Sequence, residues 1–324
     1  MAKRPILAAP AVVLLAACAL LRAPAGRLSI ARAGLAAPVV DGWPDGAPTD
    51  PVAAAVFERI NADRAHEGLA PVAWDQKAAD LATEYTREQI REGTVGHFLL
   101  DGVPPYARLS RTGDLGMGAE NAVAYISNGD HIDDSPMTLA LRGEREMLAE
   151  KPPADGHRRA ILDPAATHVG VGWSLSGADF RMAEEFTSRR YAHLGISPIS
   201  RYASAIRVRG QSLPGMSIAY VSVARQPLPS PISLTEANSR HSYAYPDPRW
   251  ALLPAASPYG AFGLMNRKCL VPSLHGRFSF DYEIEEPGLW TFVLYFQRKG
   301  EREPAPGGSF TVWADGETRP GLRS

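Results

Sequence analysis

The chain has 324 residues, of which 45% are hydrophobic and 21% are charged, and its formal net charge is -1. This composition is that of a globular protein and excludes a disordered chain or a multi-span membrane protein. A net charge this close to zero gives no general attraction for nucleic acid, so no nucleic-acid partner is expected. At about 100 to 200 residues per domain, the length predicts two domains.

The first 33 residues are predicted to be an export signal. Lys3 and Arg4 precede an apolar run over 5–21, which is the order of charged and apolar regions in a secretory signal. The run is too short and too interrupted by proline to predict a transmembrane helix, which needs about 20 apolar residues. Residues 34–50 are rich in Ala, Pro and Gly and are interpreted as a linker.

Cys18 ends a Leu-Ala-Ala-Cys sequence that resembles the lipobox of bacterial lipoproteins. The resemblance implies cleavage before Cys18 and its acylation, and several acyl chains would anchor the chain to a membrane. The alternative is an ordinary secretory signal cleaved after the Ala-Arg-Ala sequence at 31–33. The chain is therefore expected to be exported, as a membrane-anchored lipoprotein or as a secreted or periplasmic protein. Cys269 is the only other cysteine, so no disulfide is expected within the folded part.

Residues 51–193 are predicted to form a domain with helices on both sides of a small sheet. Asp50, Asp75 and Ser135 are predicted N-caps, and proline follows the first and the third of them. Short helices are predicted from 104 and over 155–162, and the alternating segments 168–173 and 180–186 predict a hairpin. These elements together predict an α-β-α sandwich.

Six short motifs follow one another in this first domain. They are Asn-x-x-Arg at 61–64, Gly-Leu-Ala-Pro-Val-Ala-Trp-Asp at 68–75, Gly-His at 96–97, Gly-Ala-Glu-Asn-Ala at 118–122, Gly-His-Arg-x-x-Ile-Leu at 156–162 and Val-Gly-Val-Gly at 169–172. In kind and order they resemble the motifs of the CAP superfamily, which comprises cysteine-rich secretory proteins, antigen 5, plant pathogenesis-related 1 proteins and bacterial SCP-like domains. The resemblance covers about 52–186, which is less than half of the chain.

The resemblance implies a cleft lined by two histidines and two glutamates, here His97, Glu120, Glu150 and His157. Two imidazoles and two carboxylates can ligate one divalent cation, with Zn²⁺ the first expectation and Mg²⁺ or Mn²⁺ the alternatives. If only the histidines ligate, the glutamates would orient them or a bound water. In the absence of metal, one carboxylate would hold a proton or pair with a protonated histidine.

The assignment of Glu150 has two rivals, Glu144 and Glu146. Relatives usually carry an aromatic residue three positions before this glutamate, whereas this chain has Met147. The position at the end of a helix, just before Pro152, favours Glu150.

Each of the four residues also has an ordinary structural interpretation. His97 could cap a loop, and Glu120 could cap the start of a short helix, as carboxylates do. Glu150 could be a solvated residue at a helix end, and His157 could be a surface residue in a first turn.

Residues 194–324 are predicted to form an all-β domain of immunoglobulin-like sandwich type. Strands are predicted over 205–209, 216–223, 277–282, 289–296 and 309–313. Five aromatic residues are interpreted as core, with a carbohydrate-binding platform as the alternative; they are Trp290, Tyr295, Trp313, Tyr243 and Tyr245. The proline-rich segment 240–264 has no usable period.

The function favoured by these observations is a non-catalytic binding module of a bacterial cell envelope. Its partner would be a divalent cation, a small ligand, a lipid or an envelope polymer. One alternative is a metal-dependent, peptidase-like hydrolase that uses His97, Glu120, Glu150 and His157 to activate water. Another is a structural or adhesive surface protein with a vestigial cleft. No covalent nucleophile is supplied by a recognised motif.

Overall fold

The computed structural model describes residues 46–198, 205–255 and 265–315. The predicted export signal, Cys18 and most of the predicted linker lie outside these ranges. In the part of the chain that is described, no helix is both long and apolar enough to cross a membrane.

The first domain contains five helices, and the predicted N-caps are confirmed. The helices are α1 (Pro51–His66), α2 (Gln76–Glu92), α3 (Pro105–Arg111), α4 (Pro136–Leu148) and α5 (Gly156–Ile161). The side chains of Asp50, Asp75 and Ser135 each accept hydrogen bonds from backbone N–H groups two or three residues ahead. These bonds satisfy donors that a helix leaves unpaired at its start.

Four strands form the first sheet, in the order β1-β3-β4-β2. They are β1 (Ala73–Trp74), β2 (Met117–Ile126), β3 (His168–Ser176) and β4 (Asp179–Ser188). The predicted hairpin is β3 with β4, and β2 adds antiparallel to β4 as an outer edge. α1, α4 and α5 pack on one face and α2 packs on the other. The α-β-α sandwich is confirmed, whereas the interpretation of Glu120 as a helix cap is wrong because β2 is a strand.

Two glycines of β3 explain why α2 can lie so close to the sheet. A Cβ atom on Gly170 or on Gly172 would overlap backbone atoms of α2, near Ala79 and Thr83 respectively. In the Val-Gly-Val-Gly motif, the valine side chains therefore point to the layer of α1, α4 and α5, and the glycines, which lack a side chain, face α2.

The Asn-x-x-Arg motif of α1 fastens the loops at one end of the sheet. The side chain of Asn61 exchanges two hydrogen bonds with the backbone of Val72. The buried guanidinium of Arg64 donates to the carbonyl oxygens of Ala70 and Ile161 at 3.0 and 2.7 Å. The side chains of Asn61 and Arg64 thus provide hydrogen-bond partners for loop N–H and C=O groups that have no partner in a helix or a strand.

In its described residues, the second domain is a mostly-β unit of eight strands with one short α-helix. The strands are β5 (Tyr191–Pro198), β6 (Ala205–Ser212), β7 (Met216–Gln226), β8 (Trp250–Pro254), β9 (Met265–Pro272), β10 (Arg277–Glu283), β11 (Gly288–Arg298) and β12 (Ala305–Ala314), and the helix is α6 (Leu234–Ser239). Their order is β12-β11-β7-β8-β9-β10-β6-β5. All five predicted strands are present, whereas β5, β8 and β9 were not predicted.

This second sheet folds over so that its two halves face each other. Phe280 of β10 packs against Phe292 of β11, with ring centroids 6.3 Å apart, although the two strands are not neighbours. β9 joins the halves by pairing with β8 on one side and β10 on the other. The result is the predicted sandwich, closed along one side toward a barrel.

The two domains are in contact through β12. The backbone N–H of Ser309 donates to the carbonyl oxygen of Leu115 at 2.8 Å, and the N–H of Thr311 donates to the Ser110 hydroxyl at 2.8 Å. Since these groups are largely buried, the contact is a packed junction between the domains.

We predict that Gly172→Ala lowers the free energy of unfolding by about 1 to 3 kcal/mol, because the new methyl group forces α2 away from the sheet. Gly156→Ala is the matched control, since a Cβ there meets no atom within 4 Å. Urea unfolding of both variants checks this. Equal stability of the two variants would contradict the close packing of α2.

Candidate functional site

His97 lies on the loop after α2 and is buried. The preceding Gly96 has a φ of +99°, a conformation that glycine adopts without strain. The Gly96 carbonyl oxygen accepts hydrogen bonds from the hydroxyl of Tyr85 and from Nε2 of Gln89, both on α2. The helix therefore fixes the loop that carries the histidine.

Glu120 lies on β2 and is buried beside the His97 ring. Its Oε1 is 2.8 Å from Nδ1 of His97, and its Oε2 accepts a 2.5 Å hydrogen bond from Arg108 on α3. Arg108 also donates to the His97 carbonyl oxygen at 3.3 Å and lies over the ring of Tyr85. One guanidinium thus holds both the carboxylate and the backbone of the histidine.

The charges around Glu120 keep it ionised. Burial by itself raises the pKa of Glu120, but the charge of Arg108 and the hydrogen bond with His97 outweigh it, so the pKa lies below its ordinary value. On β4, burial and the neighbouring Glu120 raise the pKa of Glu185 well above its ordinary value. The two pKa shifts run in opposite directions, so the negative charge is favoured on Glu120 rather than on Glu185.

His157 and Glu150 form the second pair. Oε1 of Glu150 is 2.6 Å from Nδ1 of His157, and Oε2 accepts a 3.0 Å hydrogen bond from the His157 backbone N–H. The carboxylate thus caps the first turn of α5 and orients the ring at the same time. Asn121 of β2 donates to the His157 carbonyl oxygen at 3.2 Å.

The structure brings the four predicted residues together. The ring centroids of His97 and His157 are 6.2 Å apart. Because each Nδ1 lies against a glutamate oxygen, a neutral ring protonated on Nδ1 presents the lone pair of Nε2. Within the described ranges, no group of three or more His, Cys, Asp or Glu side chains is arranged to hold a metal ion. The arrangement is two His–Glu pairs that face each other.

The rivals of Glu150 lie elsewhere. Glu146 is exposed and accepts a hydrogen bond from Tyr125 at 2.5 Å. Glu144 is completely buried and faces Glu184 of β4, which itself accepts a 3.0 Å hydrogen bond from Asn121. Burial and the neighbouring Glu184 raise the pKa of Glu144, and burial raises that of Glu184. Glu144 therefore lies in the core against Glu184 rather than pairing with either histidine.

The first domain contributes residues to the site that were not predicted, among them Arg108, Glu184 and Glu185. The sequence did contain a signal that Glu184 and Glu185 are buried. Consecutive residues of a strand point to opposite faces of the sheet, and both faces of this sheet are covered by helices. Arg108 had no such signal, since its place on a short helix reads as a solvated position.

A further contact to the site comes from the second domain. The ring of Tyr243 stands edge-on to His97, with centroids 4.9 Å apart, and its hydroxyl oxygen accepts a 2.5 Å hydrogen bond from the Glu120 N–H. Tyr245 accepts from the Gly118 N–H at 3.0 Å. Both tyrosines therefore pack against the first domain, in a cluster that also includes Trp313, whereas Trp290 is in the core of the second domain.

Comparison with known proteins identifies the first domain. The family model of the cysteine-rich secretory protein family, CAP, matches residues 57–188. This segment is a CAP domain. No match was found among curated proteins.

Solved structures of similar proteins match 44% of the chain. An outer surface protein from Borrelia burgdorferi is 17% identical with a TM-score of 0.36, and 96% of it is covered. An extracellular SCP-domain protein from Bacillus anthracis is 20% identical with a TM-score of 0.33, and a cysteine-rich secretory protein from Staphylococcus aureus is 14% identical with a TM-score of 0.26. The match spans 45% and 40% of the latter two, less than half of their length.

We predict that Glu144→Gln stabilises the protein more at pH 8 than at pH 5. Folding raises the pKa of Glu144. Below its unfolded pKa of about 4.3 the carboxyl is protonated in both states. As pH rises above that value the carboxyl ionises in the unfolded state but not in the folded state, so the free energy of unfolding falls. The neutral amide of the variant does not ionise, so the variant does not lose this stability. We expect its free energy of unfolding at pH 8 to exceed that of wild type by roughly 1 to 3 kcal/mol.

Thermal unfolding of wild type and variant across this pH range is the measurement. Glu146→Gln, on the exposed side of the same helix, is the control and should show no such pH trend. A gain for Glu144→Gln that is equal at all pH values would show that Glu144 is not the titrating group.

Proposed function

We propose that the chain is an exported cell-envelope protein whose CAP domain binds a divalent cation through His97 and His157. The observation that supports this most is the pairing of each Nδ1 with a glutamate, at 2.8 and 2.6 Å. A metal-ligating histidine typically donates its other ring N–H to a carboxylate, which fixes the tautomer and makes the ligating nitrogen more basic. Both rings have this arrangement and face each other.

The donor set favours zinc over magnesium or manganese. Imidazole nitrogen is a good ligand for Zn²⁺, whereas Mg²⁺ and Mn²⁺ prefer oxygen, and here the carboxylates are turned to the histidines. A tetrahedral zinc ion about 2.1 Å from each of two imidazole nitrogens would place the ring centroids roughly 5.2 Å apart. The observed centroid distance is 6.2 Å, so zinc binding would draw the two rings about 1 Å closer together.

The hydrogen bonds of the glutamates support binding rather than catalysis. Oε1 and Oε2 of Glu120 accept from His97 and Arg108, and those of Glu150 accept from the ring and the backbone of His157. Each of the four carboxylate oxygens thus already has a donor, which opposes a role as general base. A bound cation would supply Lewis acidity toward an oxygen of a small ligand or envelope polymer.

Export is supported by the sequence of the first 33 residues and agrees with the description of the family as secretory proteins. Acylation of Cys18 remains part of this proposal. It would hold the CAP domain at a membrane surface through the 34–50 segment.

We predict that wild-type protein binds one zinc ion per chain at pH 7.5 and that His97→Ala/His157→Ala weakens binding by at least about tenfold. Lowering the pH to 5.5 weakens binding to wild type, because protons compete for the imidazoles. Isothermal titration calorimetry measures both effects.

His131→Ala is the control for adventitious surface binding, since the side chain of His131 is 76% exposed. Its zinc affinity should equal that of wild type. If the double variant binds zinc as tightly as wild type does, the two histidines are not the site and the proposal is wrong.

A further inference from the structure

A segment of the second domain lies across the loop that carries His97. We call this segment, residues 228–245, the strap; it includes α6. Oδ1 of Asn238 accepts a 2.7 Å hydrogen bond from the Val95 N–H, and the guanidinium of Arg240 lies 5.0 Å from the ring centre of Phe98. The strap therefore follows the loop on both sides of His97.

The strap ends in two tyrosines that bond to the outer edge of β2. The N–H groups of Glu120 and Gly118 donate to the hydroxyls of Tyr243 and Tyr245. β2 is an edge strand, and alternate residues of a strand point their N–H groups the same way. The spacing of two in Tyr-x-Tyr matches that period, so the hydroxyls replace the strand that an exposed edge would otherwise recruit.

Of the two tyrosines, Tyr243 contacts both members of one His–Glu pair. Its ring edge limits the rotation of His97, at a centroid distance of 4.9 Å, while its hydroxyl fixes the backbone of Glu120. Burial and the charge of Glu120 raise the pKa of Tyr243 well above its ordinary value. The hydroxyl therefore stays neutral and remains an acceptor for the N–H.

We propose that Tyr243 is a positioning residue through which the second domain completes the His/Glu site. The proposal rests on the proposed function, because positioning matters only if the two histidines bind a ligand. It assigns the second domain a role at the site itself. Affinity at the site depends on the strap being docked, so a change that lifts the strap also weakens binding.

Tyr245 provides a matched control on the same strap. Its hydroxyl accepts from Gly118 and lies 3.2 Å from the Ser309 hydroxyl, and its ring stacks on Tyr106 at 4.7 Å. None of these contacts involves either histidine or either glutamate of the site. Tyr245→Phe therefore removes an equivalent edge hydrogen bond without touching His97.

The test uses the full chain, with zinc alone as the probe. We expect Tyr243→Ala to weaken zinc binding by about tenfold, the lower end of the loss seen when partners that orient metal ligands are removed. Tyr243→Phe keeps the ring but loses the acceptor, so it should lie between Tyr243→Ala and wild type. Tyr245→Phe should stay close to wild type.

A second readout is independent of metal. In metal-free protein, the NMR pH titration of the His97 ring should change in Tyr243→Ala and Tyr243→Phe, while that of His131 stays the same. A general loss of stability would not select one histidine in this way. If Tyr243→Ala does not fold, Tyr243→Phe carries the test.

The proposal is overturned if both Tyr243 variants bind zinc and titrate at His97 as wild type does, or if Tyr245→Phe weakens zinc binding as strongly as Tyr243→Phe. Failure of the proposed function has a different signature. If wild type itself does not bind zinc, the metal site is wrong, and an unchanged His97 titration in the Tyr243 variants would then refute the positioning separately.

Discussion

The buried ion pair between Glu120 and Arg108 is the interaction on which the rest of the site depends. A carboxylate completely removed from water would take up a proton unless a charge compensated it. Arg108 supplies that charge at 2.5 Å, and the raised pKa of Glu185 disfavours a second negative charge beside it. Because an ionised Glu120 can only accept, its hydrogen bond with His97 requires the proton on Nδ1, which leaves the lone pair of the neutral ring on Nε2.

The two domains share this site rather than flanking it. In the first sheet the edge strand β2 carries Glu120, and an uncovered edge would expose backbone donors. The hydroxyls of Tyr243 and Tyr245 in the strap cover that edge. β12 covers the segment just before β2, where the Ser309 N–H donates to the Leu115 carbonyl oxygen. The same contacts that protect the sheet edge hold His97 and Glu120, so the stability of the junction and the geometry of the site are linked.

Local sequence signals predicted much of the fold. N-caps set the starts of α1, α2 and α4, and alternation gave the β3–β4 hairpin, because both depend on near neighbours. β2 escaped prediction since Glu120 and Asn121 are both buried on opposite faces, which removes the polar–apolar period. The contact between Tyr243 and Glu120 joins residues 123 positions apart, and no local pattern could reveal it. The resemblance to a family supplied the four site residues together, whereas their chemistry alone left each with an ordinary alternative.

Zinc-edge anomalous diffraction from crystals of the full chain soaked in zinc tests the central claim most directly, since it locates the ion relative to each ring nitrogen. The account predicts one peak about 2.1 Å from Nε2 of both His97 and His157, with Glu120 and Glu150 still on the two Nδ1 atoms. A fully occupied zinc site elsewhere with no peak between the two rings, or a peak bonded to Nδ1, would contradict it.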